Sequence, residues 1–153
     1  MIEFNEIYFT KIRDVKSPVR GHEADAGIDF FIPEDFETTT VGPNESVLIP
    51  SGIKVNIPKN YALIFKEKSG VATKKDLLVG AAVVDSGYTG EMHFHLINTG
   101  KAFQVLEPGD KITQGLVVPV VLCQPKEISN EEYEIKYCNT ERGEGGFGST
   151  GTK

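Results

Sequence analysis

The chain has 153 residues, 39% of them hydrophobic, with 22 acidic against 16 basic side chains and a net charge of −6. That length suits one domain with its own core. The acidic balance excludes a broad surface for nucleic acid or membrane, which needs a basic stripe, but leaves room for a small polyanion met by local cations, backbone N–H groups or a divalent cation.

The opening "MIEFNEIYFT" carries neither a basic leader nor an apolar stretch of signal length. No later run approaches the roughly 20 apolar residues that span a bilayer. A soluble, cytoplasmic protein is expected. Cys123 and Cys138 are too few for a disulfide framework and lack metal-ligand spacing, so two reduced thiols are expected.

Short apolar runs broken by Gly, Pro, Asn and Asp predict strands over Ile2–Phe9, Gly27–Ile32, Glu45–Ile49 and Gly52–Ile57. Further strands are predicted over Tyr61–Lys66, Leu77–Val84, Glu91–Asn98 and Leu116–Leu122. "PKN", "DSGYTG" and "EPGD" mark turns between them. Helical periodicity is brief: Ser69–Lys75, with Ser69 read as the N-cap, and a turn at Ser129–Tyr133. The expected class is all-β, a jelly-roll-like double sheet. The domain is expected over 1–141, with 142–153 as a glycine-rich C-terminal arm.

Chemistry concentrates in three stretches. In "YALIFKEKSGVATKK", Lys68, Ser69 and Gly70 open the short helix, and Lys66, Lys68, Lys74 and Lys75 gather positive charge. Free N–H groups at a helix start suit phosphate, although solvated lysines on a turn give the same pattern. In "VGAAVVDSGYTGEMHFHL", two strands flank a turn, forming a hairpin with Asp85 at its entrance. A carboxylate leaving a packed strand suits a general base in a partly desolvated setting; a turn hydrogen bond is the alternative. Tyr88 suits a stacking platform or a cover over the hairpin.

The third stretch is the ending, "RGEGGFGSTGTK". Gly143, Gly145 and Gly148 spell G-x-G-x-x-G, yet a dinucleotide fingerprint must lie between a strand and a helix, and here no helix follows. Either a closing arm or a disordered terminus remains. Arg142 offers a fork for phosphate oxygens, Phe147 a ring for stacking on a base, and Ser149 and Thr150 hydroxyl groups. His93 and His95 share one strand face but lack a third metal ligand.

In this order, these stretches resemble the trimeric dUTP pyrophosphatases, the dUTPases. Five motifs of the family are matched: "DAGIDFF" (Asp25–Phe31), "EKSGVATK" (Glu67–Lys74), "VGAAVVDSGYTGE" (Val79–Glu91), "PGDKITQGLVVPV" (Pro108–Val120) and "RGEGGFGSTG" (Arg142–Gly151). The resemblance implies a β-clip fold, a homotrimer with active sites at subunit interfaces, and hydrolysis of dUTP to dUMP and pyrophosphate with Mg²⁺ on the triphosphate. Such a reaction keeps uracil out of DNA and supplies dUMP for thymidylate synthesis.

By the same resemblance, Asp85 activates the water that attacks the α-phosphorus. Backbone groups of Ala82, Val83 and Val84 read uracil, and Tyr88 packs under the deoxyribose. Lys68, Ser69, Gly70 and Gln114 hold phosphates, while Asp29 helps to organise the nucleotide and, through water, its metal. Arg142, Phe147, Gly148, Ser149 and Thr150 form a lid. Two positions depart from the family pattern: Lys68 stands where Arg is usual, after Glu67 where Pro is common, and Ala82 stands where Gly is frequent. Lys lacks the planar fork of Arg. Two competing readings are a non-enzymatic dUTP-sensing or protein-binding module and a related dCTP deaminase; "KEKSGVATKK" contains no Arg, against the second.

Overall fold

A computed structural model describes residues 6–146. Eleven strands and two short helices follow one another as β1 (Tyr8–Lys11), β2 (Ile28–Phe31), β3 (Thr39–Val41), β4 (Ser46–Pro50), β5 (Ile53–Asn56), β6 (Tyr61–Glu67), α1 (Ser69–Lys75), β7 (Leu77–Val79), β8 (Val83–Asp85), β9 (His93–Asn98), β10 (Gln104–Leu106), β11 (Lys111–Pro119) and α2 (Asn130–Tyr137). The all-β class holds. All pairings between these strands are antiparallel: a four-stranded sheet in order β2-β11-β6-β8, a three-stranded sheet β4-β9-β7, and the pairs β1-β5 and β10-β3.

Alternation puts one face of each sheet into a common core. Phe30 of β2, Phe65 of β6 and Phe94 of β9 meet edge to face, with ring centroids 5.2 to 5.9 Å apart. This geometry suits the ring quadrupole and adds about 0.5–1.5 kcal/mol per pair beyond burial. The three rings join the four-stranded to the three-stranded sheet, and Ile32, Ile49, Leu63, Leu77, Leu96 and Ile112 close around them. Buried Asn98 is fully used: its amide donates to the carbonyls of Val41 and Ala102, and its oxygen accepts from the Gly100 N–H.

Several local expectations need correction. The run Leu77–Val84 is not one strand: β7 and β8 belong to different sheets. The break falls at Gly80, whose N–H donates to the His95 carbonyl, while the Ala81 N–H donates to His95 Nδ1. A Cβ at Gly80 would run into the His95 ring. Consequently "DSGYTG" closes no hairpin; it carries the chain from β8 in one sheet to β9 in the other. Ser69 is not the N-cap either. Lys68 holds that place with extended backbone and no side-chain cap, and Ser69 is the first helical residue. At α2, in contrast, Ser129 caps by accepting from the Glu132 N–H, and the expected turn extends into eight helical residues. Strands β3 and β10 are three residues each, too short to leave an alternating pattern.

The chain divides into two compact units, Met1–Val121 and Leu122–Lys153. The first holds every strand and α1, and the second holds α2. Among the described residues no helix is long and apolar enough to cross a membrane. Cys123 and Cys138 are both free thiols.

Candidate functional site

The sequence-derived candidates of the first unit fall into two groups at opposite corners of the four-stranded sheet. At the β8 corner, Ala82, Val83, Val84, Asp85, Tyr88 and His93 line one pocket. Strand β8 is an edge strand, paired only with β6, so its outer backbone groups are available to a ligand. The Tyr88 hydroxyl donates to the Glu91 carbonyl at 2.6 Å, which folds the ring back over Gly90. His93 Nδ1 lies 3.0 Å from that same carbonyl. The Glu91 side chain is held in turn by Arg13 at 2.8 Å and by the Gly52 N–H at 2.8 Å. The Arg13 hydrogen bond outweighs the opposing effect of burial and keeps the Glu91 carboxyl below its ordinary pKa. This half-buried carboxylate thus anchors the turn that carries Tyr88.

Asp85 itself is exposed. The desolvated setting expected for it is not built by the described residues, none of which forms a strand on the outer side of β8.

At the other corner, Asp25, Asp29, Lys66, Glu67, Lys68 and Gln114 line a second, more polar pocket. Gln114 donates to the Glu67 carbonyl at 2.8 Å, and a Cβ on buried Gly27 would overlap the Gln114 side chain. Asp29 is only 5% exposed. One of its carboxylate oxygens accepts from Lys68, and the other lies 3.0 Å from Lys111 Nζ. Burial opposes ionisation of Asp29, but the hydrogen bonds and charges of the two lysines prevail and hold its pKa below the ordinary Asp value. Glu67, standing where Pro was the familiar residue, accepts from the Val79 N–H at 3.1 Å and so ties β6 to β7.

The lysines do not form one cluster. Lys74 and Lys75 lie in the last turn of α1, away from Lys68, where they complement the carbonyl end of the helix. Lys75 approaches Asp110 at 4.0 Å.

Register fixes how the corners relate. Asp85 stands opposite Ala62, while Asp29 stands opposite Gln114, which stands opposite Lys66. Ala62 and Lys66 are four residues apart, so Asp85 and Asp29 project from the same face. They are separated by three strand spacings and four residues along β6, about 14 Å across and about 13 Å along the sheet.

In the second unit, Arg142 follows α2 in an exposed turn, its Nε donating to the Gly145 carbonyl at 2.8 Å. Gly143 there has φ +50°, a backbone that favours glycine. Phe147, Gly148, Ser149 and Thr150 lie outside the described residues. No group of three or more His, Cys, Asp or Glu among the described residues could hold a metal ion. His93 and His95 do share a face of β9, but His95 Nδ1 is occupied by Ala81. Sequence reasoning missed Lys111; its signal lay in its place three residues before Gln114, and only the bulge described below gives that spacing meaning.

A family model described as dUTPase matches residues 13–151. The chain belongs to the dUTPase family. A deoxyuridine 5'-triphosphate nucleotidohydrolase of Clostridium novyi is 37% identical over 136 residues, covering 88% of this chain and 89% of its own. Among solved structures, a mutant Staphylococcus bacteriophage 80alpha dUTPase with dUpNHpp superposes with a TM-score of 0.79 at 25% identity, covering 97% of this chain and 99% of that one. It is described in the context of phage dUTPases that control transfer of virulence genes by a proto-oncogenic G protein-like mechanism. A mutant dUTPase from phage phi11 of S. aureus, described as showing coordination of a structural Mg(II) ion, shares the fold of this dUTPase-family chain at 24% identity and a TM-score of 0.73, covering 81% of this chain and 97% of that one.

Proposed function

We propose that this chain hydrolyses dUTP to dUMP and pyrophosphate, keeping uracil out of DNA and supplying dUMP for thymidylate synthesis. The observation that carries the reading is the β8 corner. Strand β8, an edge strand paired only with β6 among the described residues, follows Ala82, whose carbonyl accepts from the Phe65 N–H, and ends in an exposed carboxylate, Asp85, beside an anchored ring, Tyr88. Backbone groups along an edge strand can pair with uracil as a base does, and a donor and acceptor in that order reject cytosine. Tyr88 packs under the deoxyribose and leaves no room for a 2'-hydroxyl.

Asp85 is the base. It orients a water and takes its proton as the oxygen attacks the α-phosphorus in line, with pyrophosphate leaving on the opposite side. Lys68, Ser69, Gly70 and Gln114 hold phosphate oxygens. Arg142, Phe147, Gly148, Ser149 and Thr150 form an arm that closes over the nucleotide, with Phe147 stacking on uracil.

The two corners are too far apart along one sheet to serve the same base and phosphates. A homotrimer in which one subunit's β8 corner faces another's phosphate corner resolves this, and it covers Asp85 where a single chain leaves it exposed. Mg²⁺ enters as part of the substrate, Mg–dUTP. Asp29 does not fit a direct metal ligand, because both of its oxygens are taken by ammonium groups; its reach to the ion is through water. Product analysis with Mg–dUTP beside dCTP, dTTP and UTP tests the reading. Release of dUMP and pyrophosphate from dUTP alone is expected, and release from dCTP or UTP at a similar rate would overturn it.

The second reading is a dUTP-sensing or protein-binding module, favoured by the G protein-like mechanism described for the 80alpha protein. Tight dUTP binding with negligible turnover would select it.

A further inference from the structure

The buried carboxylate of Asp29 meets two ammonium groups, and only one of those two lines the pocket. Lys68 does; Lys111 reaches Asp29 from outside it. Resting on the reading above, we infer that Lys111 is a positioning residue for phosphate binding. It keeps buried Asp29 compensated so that Lys68 is free to turn its ammonium toward a phosphate.

Register shows how Lys111 comes to be there. Lys111 pairs with Phe31, Thr113 with Phe30 and Gln114 with Asp29, so β11 carries one more residue than β2 between Lys111 and Thr113. In a regular strand, residues three apart point to opposite faces. The bulge returns Lys111 and Gln114 to the same face, the one from which Asp29 and Phe31 project. Lys111 Nζ then lies 3.0 Å from Asp29 and 5.7 Å from the Phe31 ring centroid, a cation–π contact that steadies its stem.

The charges decide the consequence. With a single lysine, moving its ammonium to a phosphate would strand a buried, uncompensated carboxylate. With two, Lys68 can leave one oxygen while Lys111 stays on the other. A lysine suits this better than an arginine, because its ammonium is a point charge on a flexible stem rather than a fork bound through two bonds. Lys111 is exposed and on the strand surface, so its replacement leaves the core intact.

The test uses the full chain with inorganic tripolyphosphate as probe, read by calorimetry, alongside KM and kcat for Mg–dUTP. Lys111→Met is expected to weaken tripolyphosphate binding about tenfold and raise KM similarly, with kcat within about twofold. Lys111→Arg is expected to recover most of the affinity. In an Asp29→Asn background, Lys111→Met is expected to add little, since the charge it guards is gone. Equal losses in both backgrounds, or no loss in the native one, would overturn the inference. So would failure of the native chain to bind tripolyphosphate, which removes the phosphate pocket itself. Binding of tripolyphosphate without dUTP turnover would strike the proposed reaction and leave Lys111's part standing.

Discussion

The two corners of the four-stranded sheet are built by opposite means. At the β8 corner, the strand is an edge strand, and the charged side chain that lines the pocket, Asp85, stands exposed. At the β2–β11 corner, side chains do the work, and the central one, Asp29, is buried under two lysines. An edge strand is suited to reading a flat base, because its unpaired groups have fixed spacing. A buried carboxylate with mobile lysines is suited to a triphosphate, whose charge is spread over many oxygens. Under the proposed function, the contrast assigns selectivity to fixed geometry at one corner and affinity to exchangeable charge at the other.

The largest break in that contrast comes at the β8 corner. Asp85→Asn is expected to lower kcat by about a thousandfold or more while nucleotide binding stays within a few fold. Single-turnover kinetics beside equilibrium binding checks it, and near-native turnover would remove Asp85 as the base. Next in size, deletion of Arg142–Lys153 is expected to reduce kcat/KM about a hundredfold without loss of the proposed trimer or of melting temperature. An unchanged kcat/KM would show that neither corner needs the arm.

At the phosphate corner the effects fall on structure first. Gly27→Ala is expected to push the Gln114 side chain aside and destabilise the chain by about 1–3 kcal/mol, read as a lower melting temperature with a raised KM. A smaller effect separates the two kinds of carboxylate. Asp29 has a lowered pKa in the folded state, so its stabilisation is present above the ordinary Asp value of about 3.9 and is lost as pH falls through the folded value. Asp29→Asn is therefore expected to lose less stability than the native chain between pH 6 and about pH 3, measured by urea unfolding. An acid limb unchanged by the substitution would show that the lysine pair does not bias Asp29's ionisation.

Much of the site was legible in the residues. The order of "DAGIDFF", "VVDSGY" and "GFGSTG" pointed to the family before any coordinates. The period-two runs found β2, β4, β5, β6 and β9 within a residue or two, because a half-buried strand must alternate. The expected Leu116–Leu122 caught only the second half of β11, which begins at Lys111 and ends at Pro119. Strands β3 and β10 were missed because three residues are too few to alternate; another failure was non-local. Leu77–Val84 reads as one apolar run, but a side chain from β9, His95, takes the Ala81 N–H and splits it between sheets. Ser69 reads as a cap, yet Lys68 takes that place and Ser69 is the first helical residue.

By itself, then, the sequence determined the class, the family and the cast of chemical groups, since these follow from residue type and short spacing. Tertiary structure alone decided that Lys111 shares Asp29 with Lys68, that Asp85 stands on an edge strand, and that Asp85 and Asp29 occupy different corners. Those facts depend on which strands pair, in what register and across which bulge. Such choices are made by contacts between residues tens of positions apart, and no local pattern encodes them.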